Sequence, residues 1–388
     1  MPFDFPASPT NGQTISGPNG IQYRWDGTKW TSYPLPTQMA PVNAPVFTGD
    51  AQAVTPAAGD ADTSIATTAF VQAAVAPALH DVGRNLLHNA LFNVQQRGTG
   101  PWTATGNYTA DRWVQLLGTG DTISTSITSH SDASRAQIGD ESAQSLLNVT
   151  FTGSANAAGF TVINQRIENT RRLSGKTVTV SFWAAANSGT PRIGLSIEPY
   201  YGSGGTAFTP GAGQSVVIST AWTRYSFVWP VPSMSGITVG TAGTDYVNLF
   251  LWLSSGANNA NRSGNVGVQS GQVFIWGIQL EIGSVATPVE KLDPRMDWAN
   301  CQRFYQTGQI ALAAYQNTGF GIYAPYPLPV QMRAAPTVVS VGGSGGNSGV
   351  GAISWVVTGN GAQVVANPSA TASGPFIINQ QFSASADL

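Results

Sequence analysis

The chain has 388 residues, room for two or three domains, and only 9% of them are charged, against about 25% in an ordinary globular chain. A net charge of −2 supplies no basic field and argues against nucleic-acid binding. One cysteine, Cys301, and three scattered histidines leave no internal disulfide and no zinc cluster. No stretch approaches the ~20 apolar residues of a membrane span. No basic, apolar-cored leader marks a secretory signal, so synthesis in a cytosol is expected, with no cofactor and no membrane insertion.

Residues 1–33 contain two β runs across the Asp26-Gly27 turn, a strong hairpin signal. A lone hairpin is marginal in water, so Tyr23, Trp25 and Trp30 need something to pack against. Two readings stand: a docking module, or a surface hairpin folded back on the main body. Residues 34–109 begin with an extended linker punctuated by Pro34, Pro36, Pro41, Pro45 and Pro56. Asp62 or Thr63 can cap a helix that starts at Ser64 and is ended or kinked by Pro77. Thr68, Val71, Val75, Ala78 and Val82 follow spacings of three and four, a short coiled-coil seam. A helix of about a dozen residues is barely stable alone, so a three-helix contact is predicted, with a single helix packed on its own sandwich as the alternative.

Residues 110–292 read as an antiparallel jelly roll. In residues 175–186, Val178, Val180, Phe182 and Ala184 share one face. Thr177, Thr179 and Ser181 share the other, with Trp183 as the exception. Residues 272–282 place Phe274, Trp276, Ile278, Leu280 and Ile282 together, opposite Gln279 and Glu281. Further short runs at 121–128, 144–152, 159–168, 191–198, 213–219, 223–229 and 244–254 are separated by turn residues with no helical pattern between them. In the last of these, Val247, Leu249, Leu251 and Leu253 make a core face. Tyr246, Phe250 and Trp252 lie opposite and with Trp183 suggest a second aromatic face. Such a face meets other subunits, is covered by a loop or the first hairpin, or stacks on sugars.

Residues 293–388 are expected to form a smaller β domain, with runs at 310–315, 320–324, 337–341, 352–358 and 376–382 and a glycine-rich loop from Gly342. From Thr307 onward Arg333 and Asp387 are the only charged side chains. Few large apolar residues make a thin core, so completion by neighbouring chains is predicted. The fold class is all-β throughout, apart from the short helical neck.

Glycoside hydrolysis would need two flanking carboxylates. Asp111, Glu168, Glu198, Asp245 and Glu281 are available, but their spacing suggests no pair and ordinary solvation or ion pairing accounts for them. No nucleophile elbow, phosphate loop or metalloprotease motif is present. Asp111 and Asp140-Glu141 are conceivable calcium ligands, but no spacing matches a known loop; no metal is expected. Tyr200 and Tyr201, which precede a Gly-Ser-Gly-Gly loop, together with Tyr323, Tyr326 and Trp355, are the candidates for stacking on a glycan.

Several motifs resemble those of phage tail fibres. Pro45-Val-Phe-Thr-Gly-Asp-Ala-Gln-Ala, followed by Asp60-Ala-Asp-Thr-Ser-Ile-Ala-Thr-Thr-Ala-Phe-Val, resembles a short repeat of their shafts. Asn85-Leu-Leu-His-Asn-Ala-Leu-Phe-Asn-Val-Gln-Gln-Arg-Gly and Tyr108-Thr-Ala-Asp-Arg-Trp are similar to the lead-in of their sandwich domains. Gly277-Ile-Gln-Leu-Glu-Ile-Gly-Ser-Val-Ala-Thr-Pro and Cys301-Gln-Arg-Phe-Tyr-Gln resemble its exit. The resemblance spans residues 45–306. It implies a non-enzymatic homotrimer, each chain partnered by two further copies, on the surface of a virion or phage-like particle. Its N-terminus would dock on capsid, collar or tail proteins through Tyr23, Trp25 and Trp30, and its far end would meet a bacterial cell-surface polysaccharide for host attachment. The alternatives are a head or collar decoration with no receptor role, and a glycan-depolymerising tailspike.

Overall fold

The structure is a computed structural model and describes residues 4–17, 20–33, 54–55, 66–69, 71, 83–341, 347–359 and 361–388. It divides into two compact units, Met1–Leu79 and His80–Leu388. In the first, β1 (Thr14–Ser16), β2 (Gln22–Trp25) and β3 (Trp30–Tyr33) form an antiparallel sheet in that order. Asp26 Oδ1 closes the β2–β3 turn by accepting from the amides of Thr28 and Lys29 at 2.9 and 2.8 Å, with Gly27 at φ +99°. The packing that Tyr23 and Trp30 require comes in part from Phe5, whose ring lies 5.2 and 5.5 Å from theirs. Trp25 adds a ring contact to Trp30 at 5.6 Å. Of the predicted seam, Thr68 and Val71 are helical and Val71 is exposed; Val75, Ala78 and Val82 lie outside the described residues, as does nearly all of the linker.

The second unit opens with β4 (Trp113–Leu117), β5 (Thr122–Ser129), α1 (Asp132–Ile138), β6 (Ser145–Thr152), β7 (Phe160–Glu168), β8 (Thr177–Ala186), β9 (Arg192–Tyr200), β10 (Gln214–Val217), β11 (Thr223–Pro230), β12 (Tyr246–Ser255) and β13 (Ser270–Ile282). Two five-stranded sheets result, ordered β10-β9-β12-β7-β4 and β11-β8-β13-β6-β5. From β6 onward the chain alternates so that β6-β13-β8-β11 faces β7-β12-β9-β10, the winding of a jelly roll, with β4 and β5 added at the edges. Between the sheets Val178, Val180, Phe182 and Ala184 meet Val247, Leu249, Leu251 and Leu253, all at 0% exposure. Each of these side chains except Ala184 contributes on the order of 1.5–3 kcal/mol by burial.

Three expectations change. First, the apolar face read across residues 272–282 is not one face. The β8–β13 register shifts between Trp276 and Gln279, and this extra residue reverses the alternation. Val273, Ile275, Ile278 and Leu280 enter the inner core, whereas Phe274 and Trp276 point outward. Gly277 permits the bulge at φ +62°, where a Cβ would stand 3.2 Å from Val289. The lead-in takes up the displaced backbone groups: Asn85 donates to the Ile278 carbonyl at 3.0 Å, and the Leu280 amide donates to Asn85 Oδ1 at 3.0 Å. Second, Trp183 does not share a face with Tyr246, Phe250 and Trp252, because β8 and β12 belong to different sheets. Each group is covered by its own chain: Trp183 packs with Ile138, Leu146 and Trp276, and Phe250 and Trp252 pack with Val162 and Val266. Third, the polar face of β8 is solvated only at Thr177, since Thr179 and Ser181 are 1% and 0% exposed.

After α2 (Pro294–Gln302) come β14 (Tyr305–Gln316), β15 (Ala324–Pro327), β16 (Thr337–Val341), β17 (Val350–Thr358), β18 (Gln363–Ala370) and β19 (Gly374–Ser385). Sheets β14-β19-β16 and β15-β18-β17 enclose Phe376, Ile378, Phe382, Val364 and Ala366, a small core, and leave Tyr315, Phe320, Val339 and Ile377 exposed. The two charged side chains of this region both reach the jelly roll. Arg333 joins Arg303 on Glu168, and Asp387 joins Arg97 and Arg112. Around the second cluster the lead-in and exit motifs converge: Arg112 lies 3.3 Å from the Phe304 ring centre and Arg97 3.6 Å from that of Tyr305.

Candidate functional site

On the outer face of the β10-β9-β12-β7-β4 sheet, Tyr200 and Tyr246 stand directly opposite each other. Their ring centres are 4.9 Å apart, and Tyr200 is 41% exposed. Two residues along each strand, Glu198 faces Asn248, and one pair further Ser196 faces Phe250. Arg262, from the loop after β12, binds Glu198 through two bonds of 2.6 Å. Ser196 donates to the same carboxylate at 2.8 Å and accepts from the Trp252 indole at 3.0 Å. This chain fixes the Arg262 plane 5.1 Å from the Phe250 and Trp252 rings.

A wall completes the groove. The chain leaving β9 turns at Gly202 and brings Phe208 to 6.3 Å from Tyr201, edge to face. The resulting cleft encloses about 320 Å³ between Tyr200, Phe208, Tyr246, Asn248 and Arg262. It thus combines one exposed aromatic face with a fixed guanidinium and an amide, the mixture that orients a polar ligand with apolar faces.

The other stacking candidates do not join it. Tyr201 is 5% exposed and serves as wall rather than platform. Tyr326 and Trp355 pack on Phe382 at 5.1 Å each, as part of the small C-terminal core. Tyr323 is 71% exposed and does not line the Tyr200 cleft. Tyr246, which sequence reasoning placed on an aromatic face left open to subunit contact, a covering loop or sugar stacking, is the partner that makes Tyr200 a platform; its signal was the aromatic at the first outward position of β12.

The carboxylates considered for hydrolysis or calcium are engaged within the chain. Asp111 accepts from the Gln96 amide at 2.7 Å and its side chain at 3.0 Å. Asp245 caps Thr170 at 2.8 Å. Glu281 accepts from the Thr287 amide at 2.9 Å, Asp140 pairs with Lys291 at 2.7 Å, and Glu168 and Glu198 hold arginines as above. Among the described residues no three His, Cys, Asp or Glu side chains form a metal-binding group.

No family model matches the chain, and no curated protein matches it. Solved structures show distant similarity. A family 11 carbohydrate-binding module from Clostridium thermocellum, in complex with a β-1,3-1,4-mixed-linked tetrasaccharide, is 14% identical over 47% of this chain and 95% of that one, with a TM-score of 0.28. TmCBM61 in complex with β-1,4-galactotriose is 15% identical over 52% of this chain and 100% of that one, with a TM-score of 0.28. The enzymatically active domain of bacteriophage CBA120 tailspike protein 4 is 13% identical over 52% of this chain and 22% of that one, with a TM-score of 0.30. None of these likenesses assigns the chain to a family.

Proposed function

We propose that the protein is a non-enzymatic, homotrimeric fibre of a phage or phage-like particle that binds a bacterial surface glycan. The observation that carries the glycan reading is the exposed Tyr200 ring stacked on Tyr246, beside Asn248 and the Arg262–Glu198 pair. A sugar's C–H face packs on the first, and its hydroxyls pair with the second. The motifs that resemble tail fibres, at residues 45–53, 60–71, 85–98 and 277–288, support the particle and its surface as the location, with Tyr23, Trp25 and Trp30 on the docking side. Three weak grooves on one trimer gain about 10²–10⁴ in avidity when they engage together.

The test is saturable binding of the labelled full chain to intact host cells, before and after removal of surface polysaccharide. Binding that disappears on stripping, and that falls about tenfold in Tyr200→Ala while Tyr323→Ala binds normally, is the expected result. Absence of binding by folded protein would leave a structural decoration fibre instead. A monomeric mass in solution would overturn the trimer, and shortening of the polysaccharide during incubation would overturn the non-enzymatic assignment.

A further inference from the structure

We infer that the opposite sheet carries a second binding site, built for a sugar ring bearing a carboxylate. On the outer face of β11-β8-β13-β6-β5, Arg224, Trp183 and Trp276 lie in one row: Arg224 is the register partner of Trp183, and Trp183 that of Trp276. Neighbouring strands are about 4.8 Å apart, so the row spans roughly 10 Å, with a cation at one end, the partly exposed Trp183 indole beside it and the buried Trp276 beyond. A cleft of about 440 Å³ stands over it, lined also by Arg84, Asp140, Glu290 and Lys291. That volume falls within the range of sites for small ligands.

Two features ask for a ligand. The Trp276 side chain is 1% exposed, yet its indole N–H has no hydrogen-bond partner, an uncommon state for a buried donor. Arg224 is partly buried, donates through Nη2 to Ser181 Oγ at 2.9 Å and to the Thr287 carbonyl, and leaves Nε buried without a partner. It belongs to none of the ion pairs among the described residues. Glu281, a neighbouring acid, is occupied by Gln279 and by Thr287 at 2.8 and 2.9 Å and pairs with Arg84 at 3.8 Å. A partly desolvated guanidinium without a carboxylate partner is stabilised by an incoming anion, and its planar fork matches a carboxylate. The partly exposed Trp183 indole favours a flat C–H face next to that anion, and the Lys291–Asp140 pair offers a donor and an acceptor to hydroxyls. A hexuronic acid residue has all three features.

This site does not depend on the Tyr200 groove, and the experiment separates them. Intrinsic tryptophan fluorescence of the full chain is titrated with glucuronic acid, glucose and acetate. Saturable quenching by glucuronic acid in the millimolar range, with glucose and acetate at least tenfold weaker, is expected. Arg224→Gln should abolish the preference for the acid, Arg224→Lys should restore part of it, and Tyr200→Ala should leave it unchanged. Equal affinity for glucose, equal affinity for acetate, no response to glucuronic acid, or full retention in a folded Arg224→Gln protein would each overturn the proposal. The wild-type comparison of the three ligands decides the matter even where a variant fails to fold.

Discussion

Replacing Asp387 by Ala is expected to cost about 3–5 kcal/mol, because it leaves the buried Arg112 without its carboxylate and takes from the partly buried Arg97 one of its two, the other being Asp111 at 3.9 Å. Arg112 and Asp387 expose only 2% and 6% of their side chains, and Arg97 exposes 15%. Arg112 Nη2 also donates to the Arg166 carbonyl at 2.6 Å, so the guanidinium is fixed in place and cannot swing out to water. For a unit of this size the loss lowers the melting temperature by on the order of 10 °C. Asp387→Asn, which keeps the shape and removes the charge, should cost nearly as much. Asp132→Ala breaks the Arg135 pair on a carboxylate that is 97% exposed and should change stability by less than about 0.5 kcal/mol. Thermal unfolding of the three variants is the measurement. A melting point for Asp387→Ala within a degree or two of the parent would show that the C-terminal β region is not held through this cluster.

What could be read from the sequence, and what could not, follows from how far each signal reaches. Alternation is local, so Val178, Val180, Phe182 and Ala184 announce their strand and face without help, and β12 does the same through Val247 to Leu253. The same rule fails at Gly277, since one bulge residue inverts the face of everything after it while leaving the composition untouched. Strand β18 escaped because Asn367-Pro368 reads as a turn, yet Pro368 lies in the middle strand of its sheet beside the irregular β17 register, where a missing amide is tolerated. Among the stacking candidates, Tyr200 and Tyr201 look equivalent in sequence. Only Tyr200 belongs to β9 and faces outward, while Tyr201 has already turned into the wall. Trp183 stood out as an aromatic among Thr and Ser, and that exception led to the Arg224–Trp183–Trp276 row. Its register partners lie 41 and 93 residues away, a distance over which no single-sequence pattern reaches. The two charge clusters are the same case: Arg333 and Asp387 were conspicuous as the last charges, but Glu168, Arg97 and Arg112 became their partners only through the fold.

Acidification supplies the second large effect, and its sign comes from three buried groups. His88 is held to about 3, first by burial and then by the nearby Arg112; its Nδ1 is buried without a partner. His130 is held to about 4 by burial and by Arg135. Both imidazoles are neutral in the folded chain and protonated in the unfolded one once the pH falls below about 6.5. Each therefore removes about 1.4 kcal/mol per pH unit from 6.5 down to its folded value. Asp111 works the other way, since burial raises it to about 6 against the opposing Arg97 and Gln96. Its protonation in the folded state returns about 1.4 kcal/mol per unit between pH 6 and about 4. Two losses against this gain and a smaller one from Asp297, which burial also raises, leave a net destabilisation of at most about 1.4 kcal/mol per unit across that window, or at most about 3 kcal/mol in all. Melting temperature measured from pH 7 to pH 4 should fall accordingly. His88→Phe, which preserves the ring beside Phe304 at 5.8 Å, should make the profile nearly flat between pH 6 and 4. Asp111→Asn should double its slope. An unchanged slope in His88→Phe would mean that this imidazole is already charged in the folded protein, and the acid sensitivity would then have to come from the carboxylates of the Glu168 and Asp140 pairs, whose values are held low by their hydrogen bonds to arginine and lysine.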